Sequence, residues 1–357
     1  MTPLPPGSTI GIVGGGQLGR MLAMAAARLG YRCHVYAPDE AMPPAAEVAA
    51  EWTRGAWDDE AALTRFGASV DVATYEFENI AAGPLDALAA EVLLWPPRRA
   101  LEIAQDRLQE KEFVSGLGGR PANFAAVSSL DELRQGLERL GTPAILKTRR
   151  FGYDGKGQAR IMAREDAEAA WQAVHGVPCV LEAFITFDAE FSILLCRGAS
   201  GETRVWPTPR NIHENGILCR SQLPAEGISE ATLTAAEALT RRIADLLGYV
   251  GTLAAEFFAT TQGPVFNEMA PRVHNSGHWT IEGAVTSQFE NHVRAICGLP
   301  LGGTDLTGAR VEMANLIGDE AEDWAEILSD PAAHIHLYGK GEPRAGRKMG
   351  HVTRIFR

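Results

Sequence analysis

At 357 residues the chain is long for a single hydrophobic core, and 46% hydrophobic with 22% charged residues describes a soluble globular protein of two or three domains. A net charge of -12 excludes a general binder of nucleic acid or of membrane surfaces, so any anionic ligand has to be met by locally placed lysines and arginines. Five scattered cysteines (33, 179, 196, 219 and 297) without a C-x-x-C spacing exclude a disulfide scaffold and a zinc site. No apolar window reaches the length of a membrane span, and residues 1–7 lack a basic segment followed by an apolar one. A cytoplasmic protein with no membrane partner is expected.

Thr9 to Val13 reads as a short buried strand, Gln17 to Leu29 as a helix closed by Gly30, and Cys33 to Tyr36 and Asp71 to Thr74 as two more strands. That alternation predicts an open parallel sheet over residues 1–100, ending near Trp95-Pro-Pro97. Gly14-Gly-Gly16-Gln-Leu-Gly19 joins the first strand to its helix in the pattern G-x-G-x-x-G, with Asp39 twenty residues beyond Gly19. Two uses of this turn stay open. It is the dinucleotide fingerprint of an NAD(P)-dependent dehydrogenase, or it gives tight strand–helix packing with a helix N-terminus that holds any phosphate.

Residues 101–184 form the next unit. One helix is predicted from Leu101 to Leu117, broken by Gly118-Gly119 and Pro121. Strands at Ala144 to Lys147 and Val180 to Glu182 flank a helix at Asp166 to Val174 and the loop Phe151-Gly-Tyr-Asp-Gly-Lys-Gly-Gln158. Lys147 ends an apolar strand, where a cation needs an anion. The loop is a flap whose backbone N–H groups, with Lys156, can close over phosphates, although Asp154-Gly155 also suits a plain hairpin turn. Val180 to Ile185 leads into a linker suited to holding an adenine edge by its backbone, with Glu190 in reach of a ribose.

Residues 185–357 carry a larger antiparallel sheet, with strands near Ile193–Leu195, Thr203–Trp206 and Ile217–Cys219 under a helix from Glu230 to Leu247. Glu256 interrupts the apolar run Gly251 to Ala259, Thr261-Gln-Gly263 reads as a three-residue hairpin loop, and Pro264 to Met269 returns with Glu268. If Thr260 faces Pro264, Glu256 faces Glu268 with Cβ atoms about 5 Å apart. Two ionised carboxylates so placed repel unless a cation lies between them, and Mg²⁺ completed by substrate phosphates is the natural one. Separate pairing of each Glu with an arginine such as Arg272 is the alternative. Arg344, Arg347, Lys348, His351 and Arg354 make a basic finish, and the glycines at 346 and 350 suit a loop brought close to a ligand.

Lys147, the flap from Gly152 to Gln158, Glu182 to Ile185, Glu190, and Glu256 with Asn267-Glu268 fall in the order and spacing of the ATP-grasp superfamily, which the chain resembles. Four strings narrow the resemblance to the N5-carboxyaminoimidazole ribonucleotide synthetase family over nearly the whole chain. They are Gly14 to Met21, Tyr75-Glu-Phe-Glu-Asn79, Gly152 to Gln158, and Ala270-Pro-Arg-Val-His-Asn-Ser-Gly-His-Trp-Thr280. Other ATP-grasp carboxylate–amine ligases share the nucleotide parts but not the last string. The implied fold class is α/β, with α+β character in the ATP-grasp part. A Rossmann-like open parallel-sheet domain (1–100) would precede linker helices with a small lid (101–184) and an antiparallel-sheet domain with a small C-terminal subdomain (185–357).

The resemblance implies ATP-dependent carboxylation of 5-aminoimidazole ribonucleotide by bicarbonate, through carboxyphosphate, in a likeness extending to a homodimer. ATP would be held by Arg107, Lys147, Gly152, Tyr153, Asp154, Gly155, Lys156, Gly157, Gln158, Glu182, Ala183, Phe184, Ile185, Glu190, His213, Asn267 and Glu268, with Mg²⁺ on Glu256 and Glu268. Arg272, His274, Asn275 and Lys348 would form the carboxyphosphate pocket, with Asp154 handling the amine proton. A core role for His274, donating to a backbone carbonyl, is the other use of that residue. Gly16, Gln17, Leu18, Glu76, Tyr153, Arg272, Arg347 and Lys348 would contact the ribonucleotide.

The two nucleotide readings part on ligand-induced stabilisation, because a ligand that binds only the folded chain raises its melting temperature. ATP with Mg²⁺ is expected to raise it in a thermal-shift titration, and NADH and NADPH are expected not to; a clear NADPH shift would reverse the assignment.

Overall fold

The computed structural model describes residues 2–152 and 157–357, so Tyr153, Asp154, Gly155 and Lys156 of the expected flap lie outside the described residues. Three sheets organise the chain. The first is all parallel, with order β3-β2-β1-β4, built from β1 (Thr9–Val13), β2 (Arg32–Ala37), β3 (Glu51–Arg54) and β4 (Val72–Tyr75). Its central strands β1 and β2 are buried after their first residue because helices cover both faces.

The second sheet is antiparallel, with order β5-β8-β6-β7, from β5 (Phe124–Val127), β6 (Ala144–Thr148), β7 (Gln158–Ile161) and β8 (Cys179–Ala183). The helix Leu130–Leu140, capped by Ser129, and the helix Ala167–Ala173 give it a core of its own. The third sheet has nine strands: β9 (Ala189–Arg197), β10 (Thr203–Val205), β11 (Arg210–Glu214), β12 (Ile217–Leu223), β13 (Gly251–Thr260), β14 (Gly263–Ala270), β15 (Arg310–Ile317), β16 (Ala333–Leu337) and β17 (Lys348–Phe356). The segment after Pro300 therefore continues this sheet, with β15 on β12 and β17 on β15.

Two local expectations are corrected. The helix expected from Leu101 to Leu117 is two helices, Arg98–Ala104 and Arg107–Gly116. Asp106 breaks it by accepting from the N–H groups of Leu108 and Gln109, which caps the second helix and sets Arg107 in its first turn. At the carboxylate hairpin Thr260 faces Gly263, not Pro264, so the loop is Thr261-Gln262. A bulge at Glu256/Phe257 then inserts one residue, and Glu256 still faces Glu268.

The first and third sheets share one core. The helix Gln17–Arg28 packs on the helix Gln288–Ile296, and Leu22, Val35, Phe289 and Val293 belong to the same buried cluster. Buried His292 pins the two sheets together: the Thr252 N–H donates to its Nδ1 at 3.1 Å, so Nε2 carries the proton and donates to Thr74 Oγ1 at 2.8 Å. Burial pushes its pKa from 6.5 down to about 3. A depressed pKa means that the neutral ring's stabilisation is full above pH 6.5 and is lost as pH falls towards 3. His292→Phe should lower stability by about 1–3 kcal/mol, the scale of buried groups left unpartnered. Urea melts should also show a shallower loss of stability between pH 6.5 and 4 than the wild type; an unchanged slope would remove His292 from the acid response.

Candidate active site

The facing glutamates lie in a cleft between the three sheets and are not equivalent. Glu268 Oε2 is 2.9 Å from Arg107 Nη1, and this guanidinium holds its pKa below the ordinary value although burial opposes it. Glu256 lies 3.6 Å from His274 Nε2, and burial together with the Glu268 charge pushes it up to about 7 against the charges of His213 and Lys348. Its neighbours leave it short of positive charge. No group of three or more Asp, Glu, His or Cys suited to a metal occurs among the described residues. The pair therefore fits a cation that takes few protein ligands and completes its shell with water and phosphate oxygens, as Mg²⁺ does. The alternative, separate pairing of each Glu with an arginine, is met for Glu268 by Arg107, whereas the Arg272 guanidinium sits on Glu78 Oε2 at 2.8 Å and donates to the Val273 carbonyl.

On one side of the pair lies a row of cations. Lys147 Nζ donates to Glu182 Oε2 at 3.0 Å, and Lys111 Nζ lies 3.1 Å from Oε1 of the same carboxylate, off the line of a hydrogen bond. Burial opposes ionisation of Glu182, yet Lys147 and Lys111 hold its pKa down at about 2. Arg107 also reaches the flap entrance, donating to the Gly152 carbonyl at 3.2 Å. Across the flap, Thr148 N–H donates to the Gly157 carbonyl, and Gln158 opens β7 opposite Lys147. His213 Nδ1 is 2.6 Å from Glu190 Oε2, a pairing that raises its pKa against the effect of burial. In the linker, Ala183 and Phe184 donate their N–H groups to the carbonyls of Asn123 and Pro143. Asn267 is the bulged residue, and its carbonyl accepts from Lys111 at 3.3 Å.

On the other side of the pair, His274 Nδ1 accepts from the Ser276 N–H, so its Nε2 carries the proton and faces Glu256. It does not donate to a backbone carbonyl, and burial with Arg272 and Lys348 nearby keeps the ring neutral. Buried Asn275 bonds His278 through Oδ1, and its Nδ2 donor has no partner among the described residues. Lys348 opens β17, and its charge acts on His274, Glu256 and His213. Half-buried Arg347 precedes it. In the rest of the basic finish, His351 stacks between His278 and His336, Arg354 pairs with Asp330, and Arg344 is exposed.

The glycine turn has a local explanation. Glu76 Oε1 accepts from the Gly16 N–H at 2.7 Å, and a Cβ at Gly14 or Gly16 would lie 2.5 Å or 3.0 Å from the Glu76 side chain. The chain's own carboxylate already occupies the helix N-terminus, where a dinucleotide pyrophosphate would sit. Gln17 is half-buried beside it, while the Leu18 side chain belongs to the core and leaves only backbone for a ligand. Sequence reasoning missed Glu78, Glu110 and Lys111. The last two read as solvated helix charges, and only the helix break at Asp106 turns them towards β14.

Comparison with known proteins agrees with this arrangement. Family models match as an ATP-grasp domain over residues 112–289, a ribonucleotide synthetase preATP-grasp domain over 8–105, and a phosphoribosylaminoimidazole carboxylase C-terminal domain over 312–357. The chain is 48% identical to the N5-carboxyaminoimidazole ribonucleotide synthase of Brucella melitensis, covering 99% of this chain and 98% of that one. The crystal structure of the Thermus thermophilus synthetase superposes with a TM-score of 0.90 at 48% identity, covering 97% of this chain and 93% of that one. The Aspergillus clavatus synthase, solved with ADP and 5-aminoimidazole ribonucleotide, gives a TM-score of 0.91 at 31% identity, covering 98% and 94%.

Because Glu256 titrates at about 7 and must be ionised to hold a cation, divalent-ion affinity should fall as pH drops from 8 to 6. Mn²⁺ binding followed by electron paramagnetic resonance, with an unreactive ATP analogue present, checks this. Glu256→Gln should bind more weakly and lose the pH dependence; a variant with the wild-type profile would take the effect away from Glu256.

Proposed function

The chain belongs to the N5-carboxyaminoimidazole ribonucleotide synthase family of ATP-grasp ligases, and from that premise we propose how its cleft works. The protein is an ATP-dependent ligase that carboxylates 5-aminoimidazole ribonucleotide to the N5-carbamate in purine biosynthesis. The observation that carries the reading is the Glu256–Glu268 pair, with lysine and arginine on one side and, on the other, a neutral His274, Lys348 and an Asn275 amide that has no partner among the described residues.

Bicarbonate is a poor electrophile until ATP phosphorylates it, and carboxyphosphate is a labile dianion that needs fixed donors and exclusion of water. Lys147, Arg107 and His213 hold the nucleotide's phosphates, with Gly152, Gly157, Gln158 and residues 153–156 closing over them. Glu182 to Ile185 take the adenine edge and Glu190 the ribose. Mg²⁺ on Glu256 and Glu268 supplies neutralisation of the charge on the nucleotide's terminal phosphates. Arg272, His274, Asn275 and Lys348 donate to carboxyphosphate. His274 is suited to this because its proton sits on Nε2, on the cleft side. Asp154 takes the amine proton, with Tyr153 beside it. Gly16, Gln17, the Leu18 backbone, Glu76 and Arg347 hold the ribonucleotide. The chain divides near residue 100, which the family-model bounds 8–105 and 112–289 support, and near residue 184, which the separate core of the second sheet supports. A homodimer in the cytoplasm completes the reading. It is consistent with reduced cysteines and with the described residues, where no helix is long and apolar enough to cross a membrane.

Phosphate release from ATP with bicarbonate and Mg²⁺ should depend on 5-aminoimidazole ribonucleotide, and no other amine should replace it. Lys348→Ala should lower turnover by about 3–4 kcal/mol of transition-state stabilisation, roughly a hundred- to thousandfold, while leaving the ATP dissociation constant within a few-fold. Near-normal turnover would return Lys348 to a structural role at the start of β17.

A further inference from the structure

Glu182 on β8 is a buried carboxylate whose side chain is 5% exposed, and it is shared by two lysines. Lys147 comes from the neighbouring strand β6 and holds Oε2 at 3.0 Å. Lys111 comes from the helix Arg107–Gly116, with its side chain 1% exposed and its ammonium 3.1 Å from Oε1. The two cations differ in what else they touch. Lys111 also donates to the Asn267 carbonyl at 3.3 Å, on the bulge that sets Glu268 opposite Glu256. Its neighbours fix the same helix to the same strand: Glu110 accepts from the Met269 N–H at 2.6 Å, and Arg107 pairs with Glu268 at 2.9 Å. The only contact Lys147 Nζ makes among those described is with Glu182, and the residue lies near the end of β6 opposite Gln158, where the flap closes.

This difference has a consequence for ligand binding. A lysine that donates to a phosphate divides its three N–H groups and its charge between phosphate and carboxylate, and a buried carboxylate left short of cations is strongly destabilised. Glu182 does not face that loss, because Lys111 is anchored independently and stays. We infer that Lys111 is a positioning residue for the nucleotide, the standing counter-ion that keeps Glu182 satisfied while Lys147 transfers to ATP's phosphates. It does not touch the nucleotide itself. The inference rests on the reading of Lys147 as a phosphate ligand.

Calorimetric titration of ATP into wild type and variants, in the presence of Mg²⁺, tests it. In Lys111→Met, Lys147 and Glu182 have only each other, so the ATP dissociation constant should rise at least tenfold. Neutralising the carboxylate should remove the need for Lys111: Glu182→Gln with Lys111→Met should bind ATP within about threefold of Glu182→Gln alone, and better than Lys111→Met alone. This second comparison stands even if Lys111→Met fails to fold, because the double variant buries no unmatched carboxylate and both members of the comparison leave Lys147 equally without its partner. Unchanged binding by Lys111→Met overturns the inference. So does a tenfold loss between Glu182→Gln and the double variant, which would make Lys111 a phosphate contact or a purely structural strut. Failure of the wild type to bind ATP, or full binding by Lys147→Met, would instead sink the reading of Lys147.

Discussion

The site depends on one enforced proximity, two glutamates on adjacent strands facing each other in a cleft. Strand pairing fixes Glu256 opposite Glu268, and their repulsion has to be met by what surrounds them. The hairpin itself is an awkward support. β14 is the edge of the nine-stranded sheet, and the bulge beside Glu256 disrupts its ladder with β13. Its outer edge is stitched by groups from the preceding chain. The Arg120 carbonyl accepts from Phe266 N–H, Lys111 donates to the Asn267 carbonyl, and Glu110 accepts from Met269 N–H. The helix Arg107–Gly116 thus protects a sheet edge and holds the carboxylate register at the same time.

Charge in the cleft is distributed by the same logic. A protein of net charge -12 concentrates Arg107, Lys111, Lys147, Arg272 and Lys348 around a small volume. Three of the acids there are paired: Glu268 with Arg107, Glu182 with two lysines, and Glu78 with Arg272. Two others are pushed towards neutrality. Burial and the Glu268 charge raise Glu110 to about 8, so at neutral pH it accepts the Met269 N–H without adding a further negative charge beside Glu268. Glu256 is the carboxylate left poised near 7, where a cation binding opposite Glu268 gains most from its ionisation.

Much of this was legible in the sequence. A glutamate inside an apolar run, followed by a tight turn and a second glutamate, could be read from alternation alone, as could a lysine ending an apolar strand. The facing of the pair came out right although the turn was misread, because the bulge restored the one-residue offset that the two-residue loop removed. Bulges are set by packing and leave no mark in alternation. Long-range ion partners were illegible for a similar reason. Arg272 finds Glu78 across the fold, and Glu110 and Lys111 look like ordinary exposed helix charges until Asp106 starts a new helix and turns that face onto β14. The glycine turn was ambiguous for a different cause. Its pattern serves a pyrophosphate or a carboxylate equally well, and only the position of Glu76 decides between them.

The way the three sheets are joined determines which parts of the site can shift relative to one another. The first and third sheets share an apolar core and the His292 pin, so the Gly16–Glu76 turn and the carboxylate hairpin are held in one body. The second sheet keeps a separate core. Its links to the rest include Arg149 on Asp106 through two hydrogen bonds, Glu182 on Lys111, and the Arg107 N–H on the Arg149 carbonyl. An interlocked apolar core cannot be parted without exposing its surface to water, whereas ion pairs can be exchanged for contacts with a charged ligand. The sheet that carries Lys147 is therefore joined to the rest through ion pairs, and the carboxylate hairpin through an apolar core.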